Sequence, residues 1–158
     1  MKKGSTLFLK TVLFLIAMST VIGLFCFPQT EGRAAHLNFI NIYMDPFIIY
    51  IYIGSIPFFM ALYQAFKLLG YIEKNKVFSP LAVRTLRTIR YCAIAIVGFL
   101  VVGIILIRVF AHGDDSAGPT GLGMIISFVS IVIATAAAIF ERLLQNAVDL
   151  KSENDLTV

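Results

Sequence analysis

Four stretches of this 158-residue chain carry no Asp, Glu, Lys or Arg: Thr11–Thr30, Pro46–Phe66, Tyr91–Ile107 and Ser116–Phe140, of 20, 21, 17 and 25 residues. A bilayer core about 30 Å thick is crossed by roughly 20 helical residues, and backbone polar groups inside it must bond to one another. Three of the runs reach that length unaided. The third is extended by Arg108, whose long stem can carry its charge to the interface, and by the apolar Val109 and Phe110. The spans are expected at about 7–27, 46–69, 90–111 and 120–144, with a cytoplasmic connector 70–89 and a polar, disordered tail 151–158. The longest charged connector, Lys67–Arg90, has 24 residues, whereas a separate soluble domain needs at least ~50. The expectation is therefore an all-α integral membrane protein of one domain, an antiparallel four-helix transmembrane bundle.

The positions of the remaining charges set its orientation. Lys2, Lys3, Lys10, Lys67, Lys74, Lys76, Arg84, Arg87, Arg90, Arg142 and Lys151 fall on one side, and only Arg33 and Arg108 on the other. Basic residues collect on the cytoplasmic side of membrane proteins, so both termini are expected inside. With the acids included, the charge is +6 inside and −2 outside, so the overall +4 reflects topology rather than nucleic-acid binding. Met1-Lys2-Lys3 ahead of an apolar run also opens secretory signal peptides, but the run is longer than their ~7–15 residues and ends in bulky Leu24-Phe25-Cys26-Phe27-Pro28. The first span is kept as structure. Cys26 and Cys92 then lie near opposite membrane faces, far beyond the ~7 Å that a disulfide allows, and are expected to be unpaired, buried thiols.

Local signals place the helix ends. Pro28 is expected to stop the first span, Asp45-Pro46 to start the second, and Gly54-Ser55-Ile56-Pro57 to kink it. Gly70 reads as a helix stop, and Ser79-Pro80 as an N-cap followed by a first-turn proline. Leu81, Leu86, Ile89 and Ala93 then recur at helical spacing, while Arg84, Arg87 and Arg90 occupy other positions. In the fourth span Ser130, Ala134 and Ala138, with Ser127 nearby, form a small-residue face that should pack against another helix.

Little in the chain can carry catalysis. No nucleophile elbow, P-loop, H-E-x-x-H or paired histidines at ligand spacing occur, and no carboxylate lies inside the charge-free part of a span. The chain is expected to be non-enzymatic, with no cofactor and no metal centre. On the outer side His36, Asp45, His112, Asp114 and Asp115 form a polar cluster only if their connectors meet, where imidazole and carboxylate would suit a divalent cation. On the inner side Lys74, Lys76, Arg84, Arg87 and Arg90 are the candidate docking residues. They are also suited to anionic lipids at the cytoplasmic face, where each basic residue contributes about 1 kcal/mol. Direct nucleic-acid binding is not expected, since no recognition module accompanies them.

The segment Ala65-Phe66-Lys67-Leu68-Leu69-Gly70-Tyr71-Ile72-Glu73-Lys74-Asn75-Lys76-Val77-Phe78-Ser79, on to Arg90-Tyr91-Cys92, resembles the signature of the YoaS-like bacterial four-span membrane family, a domain of unknown function. The opening Met1–Lys10 and the end from Leu143-Leu144-Gln145-Asn146-Ala147 to Val158 are similar too. The resemblance implies a bacterial cell membrane location and no catalytic residues. It also suggests a partner, because members of the group are encoded beside a small Cro-type helix-turn-helix regulator in Gram-positive bacteria. The leading expectation is thus a regulatory membrane protein that docks a small cytoplasmic DNA-binding regulator. The alternatives are a small transporter or channel subunit, for which Gly54–Pro57 and Gln64 are the relevant features, and an envelope-stress or immunity protein.

Overall fold

The computed structural model describes residues 3–30, 43, 46–110 and 117–156. Among them the chain forms helices α1 (Lys3–Thr30), α2 (Pro46–Glu73), α3 (Pro80–Phe110) and α4 (Ala117–Leu156), with no strand. All four are long and apolar enough to cross a membrane. At 1.5 Å per residue the 28 residues of α1 reach about 42 Å and the 40 of α4 about 60 Å, so every helix outruns a ~30 Å hydrocarbon core. Their ends therefore stand in the interface or beyond it. Most large apolar side chains, Phe14, Ile56, Ile105 and Phe128 among them, face outward, as suits a solvent made of lipid tails.

The extensive helix contacts follow chain order. The α3–α4 seam is the largest, α2–α3 is next, and α1 lies chiefly against α2. In the α3–α4 seam, Gly123, Ser127, Ser130, Ala134 and Ala137 of α4 recur at alternating spacings of four and three, and Gly123, Ser130 and Ala137 are buried. The small-residue face thus packs inward, although Ala137 rather than Ala138 is its fully buried member. Small side chains let two backbones approach where no hydrophobic force drives them together. At Gly123 a methyl group would meet Ile104 Cδ1 at 3.2 Å.

The α2–α3 seam is built on a reciprocal pair. Gly54 of α2 receives the Phe99 ring of α3, and Gly103 of α3 receives the Tyr50 ring of α2. Each glycine sits four residues after the aromatic on its own helix, so the sequence Tyr50-x-x-x-Gly54 is matched by Phe99-x-x-x-Gly103. The two rings lie 5.7 Å apart at 56°, and the Tyr50 hydroxyl donates to the Phe99 carbonyl at 2.5 Å.

Three expected helix ends move. The α1 helix continues through Pro28 to Thr30. Proline has no N–H, so the Leu24 carbonyl loses its intrahelical donor; the Tyr52 hydroxyl of α2 donates to it instead, at 3.0 Å. Likewise α2 runs unbroken through Pro57 and past Gly70 to Glu73. It closes on Asn75, whose φ of 52° is the left-handed conformation that caps helices. Asn75 N–H donates to the Ile72 carbonyl and Lys76 N–H to that of Tyr71, the paired bonds of a Schellman motif. Finally α4 continues to Leu156 through most of the stretch read as a disordered tail. Gln145 Nε2 donates to Asp149 Oδ1 one turn on, and Ser152 to the Asp149 carbonyl, which support that extension.

Candidate functional site

Beyond Glu73 the chain turns within six residues, 74–79, and re-enters a helix at Pro80. Ser79 caps that helix as expected: its Oγ accepts from the Ala82 N–H, and its carbonyl accepts from the N–H groups of Ala82 and Val83. Proline at the first helical position has no N–H to leave orphaned there. The connector is accordingly shorter than 70–89, because α2 and α3 extend into it from both sides.

The extension of α3 presents Arg84, Arg87 and Arg90, which the structure treats differently. Arg87 Nε donates to Glu141 Oε1 at 2.7 Å, and Arg90 Nη1 lies 2.9 Å from Glu141 Oε2. The second contact is an ion pair without a well-aligned hydrogen bond, since Oε2 is enclosed and accepts none. The Glu141 side chain is only 8% exposed, against 53% for Arg87 and 26% for Arg90. Arg90 also covers the Tyr91 ring, 4.9 Å from its centroid. Two of the five candidate docking residues are therefore occupied in clamping α3 to α4. By contrast Arg84 is exposed, and its guanidinium makes no hydrogen bond or ion pair among the described residues. Lys74 and Lys76 are exposed as well.

Glu141 is the first charge after the longest charge-free run, a position that by itself suggests only an interfacial charge. A signal for its role was present: continuing the stripe Gly123, Ser127, Ser130, Ala134, Ala137 by four residues lands on Glu141, which places its carboxylate in the seam. On the same side of the molecule Lys10 Nζ pairs with Glu73 Oε2 at 2.5 Å, joining the start of α1 to the end of α2.

Two concave surfaces result. One, of about 400 Å³, lies between α3 and α4 and is lined by Arg84, Arg87, Thr88, Tyr91 and Gln145. The other, of about 580 Å³, lies between the 74–79 turn and the last turns of α4, where Lys76 and Lys151 rim Phe78, Ala147 and Leu150. Phe78 is 59% and Leu150 66% exposed, and both lie outside the charge-free runs, where lipid tails do not account for them.

Polar side chains within the spans are mostly turned onto backbone. Thr20, Ser127 and Thr135 each donate to the carbonyl four residues earlier. Gln64 is half-buried. Neither cysteine is in a disulfide; Cys92 is buried as expected, whereas Cys26 is exposed. No group of three or more potential metal ligands occurs among the described residues. The expected outer cluster, His36, Asp45, His112, Asp114 and Asp115, lies outside the described residues.

Comparison with known proteins returns one family model, "Protein of unknown function (DUF2975)", matched over residues 29–158. The chain is also 46% identical to "Uncharacterized membrane protein YoaS" of Bacillus subtilis (strain 168) over 161 aligned positions that cover all of both chains. No solved structure matches.

Proposed function

Because the chain belongs to the DUF2975 family, whose description assigns no activity, we propose from its own geometry that it is a non-enzymatic docking protein of the bacterial cell membrane. In this reading the four spans run antiparallel, both termini lie in the cytoplasm, and the surface between the 74–79 turn and the end of α4 holds a small soluble regulator. The observation that carries the proposal is the concave surface around Phe78 and Leu150, rimmed by Lys76 and Lys151. Large apolar side chains exposed in water-facing segments are characteristic of protein contact sites. The lysines call for a partner with an acidic face around an apolar patch, and complementary charge sets specificity and encounter rate. The family resemblance points to a helix-turn-helix regulator as the class of partner.

Contacts at the helix ends support the antiparallel arrangement: Lys10 at the start of α1 meets Glu73 at the end of α2, and Arg87 near the start of α3 meets Glu141 toward the end of α4. The inner excess of Lys and Arg supports cytoplasmic termini.

The test is recruitment of the fluorescently tagged regulator to the membrane of cells carrying the full-length protein. Recruitment is expected with the natural sequence and loss with Lys76→Glu combined with Lys151→Glu. A regulator that stays soluble, or recruitment that survives both reversals, would overturn the proposal. Arg87 and Arg90 are unsuitable for this test, because reversing them breaks the Glu141 clamp.

A further inference from the structure

The smaller cleft, between α3 and α4, carries an inference independent of protein docking. Its α3 wall is one stripe of the helix: Arg84, Arg87 and Tyr91 recur at spacings of three and four. The same 3–4 alternation runs on through Ile94, Gly98, Val101 and Ile105 into the charge-free run. Ile94, Val101 and Ile105 are 52%, 47% and 55% exposed, so the lane that leaves the cleft is apolar and open. Tyr91 is the first residue of the charge-free run, which sets the cleft at the depth of the lipid headgroups.

The donors in the cleft are largely uncommitted. The Arg84 guanidinium has no partner among the described residues, and Arg87 gives only its Nε to Glu141, leaving both Nη groups. The Tyr91 hydroxyl makes no hydrogen bond there either. Of the neighbouring carboxylates, Glu141 is shared between Arg87 and Arg90, which leaves the arginines in excess, and Asp149 accepts from Gln145. A guanidinium fork matches phosphate oxygens in geometry as well as charge, and basic pockets between membrane helices take anionic headgroups. From Arg87 to Val101 the helix rises about 21 Å, roughly half of a ~40–45 Å bilayer, which is the length of one lipid in one leaflet.

We infer that this cleft and lane form a binding site for a single anionic glycerophospholipid, with its phosphate at Arg84, Arg87 and Tyr91 and its acyl chains along Ile94, Gly98 and Val101. The full-length protein, purified in neutral detergent, would be examined by native mass spectrometry with phosphatidylglycerol and with phosphatidylcholine. Retention of one phosphatidylglycerol molecule in preference to phosphatidylcholine is expected. Arg84→Gln should weaken it about fivefold, the equivalent of one basic residue at an anionic surface. Thr88→Glu, which sets a negative charge inside the cleft at a half-buried position, should abolish it, while Lys67→Gln outside the cleft should leave it unchanged. Each variant is accompanied by a thermal unfolding curve without added lipid, so that loss of lipid is read only from folded protein, and either cleft variant alone suffices. Equal retention of the two lipids, or undiminished binding by Arg84→Gln and Thr88→Glu, would overturn the inference. Displacement of the lipid by millimolar inorganic phosphate would also overturn it, since the site would then serve a soluble anion.

Discussion

Glu141 is an enclosed carboxylate directly after the charge-free run of α4, and its two arginines are far more exposed than it is. Removal of the two sides should therefore have unequal effects. With Glu141→Gln the arginines can turn to water or headgroups, and only the paired contact is lost. With Arg87→Met and Arg90→Met together, an unpaired charge stays buried, the more damaging case. Thermal unfolding in detergent should rank the double arginine variant below Glu141→Gln, and the triple variant with Glu141→Leu should recover much of the loss. The opposite ranking would remove the clamp from its structural role. A second residue-scale prediction concerns Pro28 and Tyr52. Tyr52→Phe leaves the Leu24 carbonyl without a donor and should destabilise by about 1 kcal/mol. In a Pro28→Ala background, where residue 28 regains its N–H, the same change should cost clearly less. A double-mutant cycle of unfolding free energies measures the difference, and strict additivity would mean that the two residues do not share that carbonyl.

At the scale of elements, the glycines divide by what stands opposite them. A Cβ at Gly103 would lie 3.1 Å from Tyr50 Cε1, and the Tyr50 ring is held by its hydroxyl bond to Phe99, so it cannot yield without losing that bond. Gly98, five residues earlier on α3, has nothing within 4 Å of the same point. Gly103→Ala should thus destabilise the α2–α3 seam by about 1–2 kcal/mol, whereas Gly98→Ala should be neutral or slightly stabilising; unfolding midpoints of the two single variants decide it. This contrast also marks how far the sequence could be read. Charge-free runs locate four helices because removing charge from 17 or more residues has one common physical cause, and the Ser79-Pro80 start is local chemistry. The ends at Thr30, Glu73 and Leu156 escaped because their determinants are a hydroxyl from another helix, a left-handed asparagine and a side-chain pair, each outweighing a nearby breaker or a polar composition. The seams were half legible. The small-residue stripe was visible in α4, but nothing local shows that Gly54 receives the Phe99 ring, and Arg87 and Arg90 read as free charges until Glu141 is found between the helices.

For the whole molecule, the proposed sidedness makes a direct prediction. In a background with Cys26 and Cys92 replaced by Ser, a Lys76→Cys thiol should react with a membrane-impermeant maleimide in inside-out vesicles and not in intact cells. Labelling in intact cells would invert the arrangement and take the docking surface out of the cytoplasm. The serial packing of the helices has a further consequence, in the order of synthesis. A chain is made from its N-terminus at about 5–20 residues per second. Since α2 is the main neighbour of α1, α3 of α2, and α4 of α3, each span leaving the ribosome meets the surface it needs already in the bilayer. None has to wait, unpaired, for a distant stretch still to be translated, and the largest seam, α3–α4, closes last, fixing the earlier helices once the message has been read.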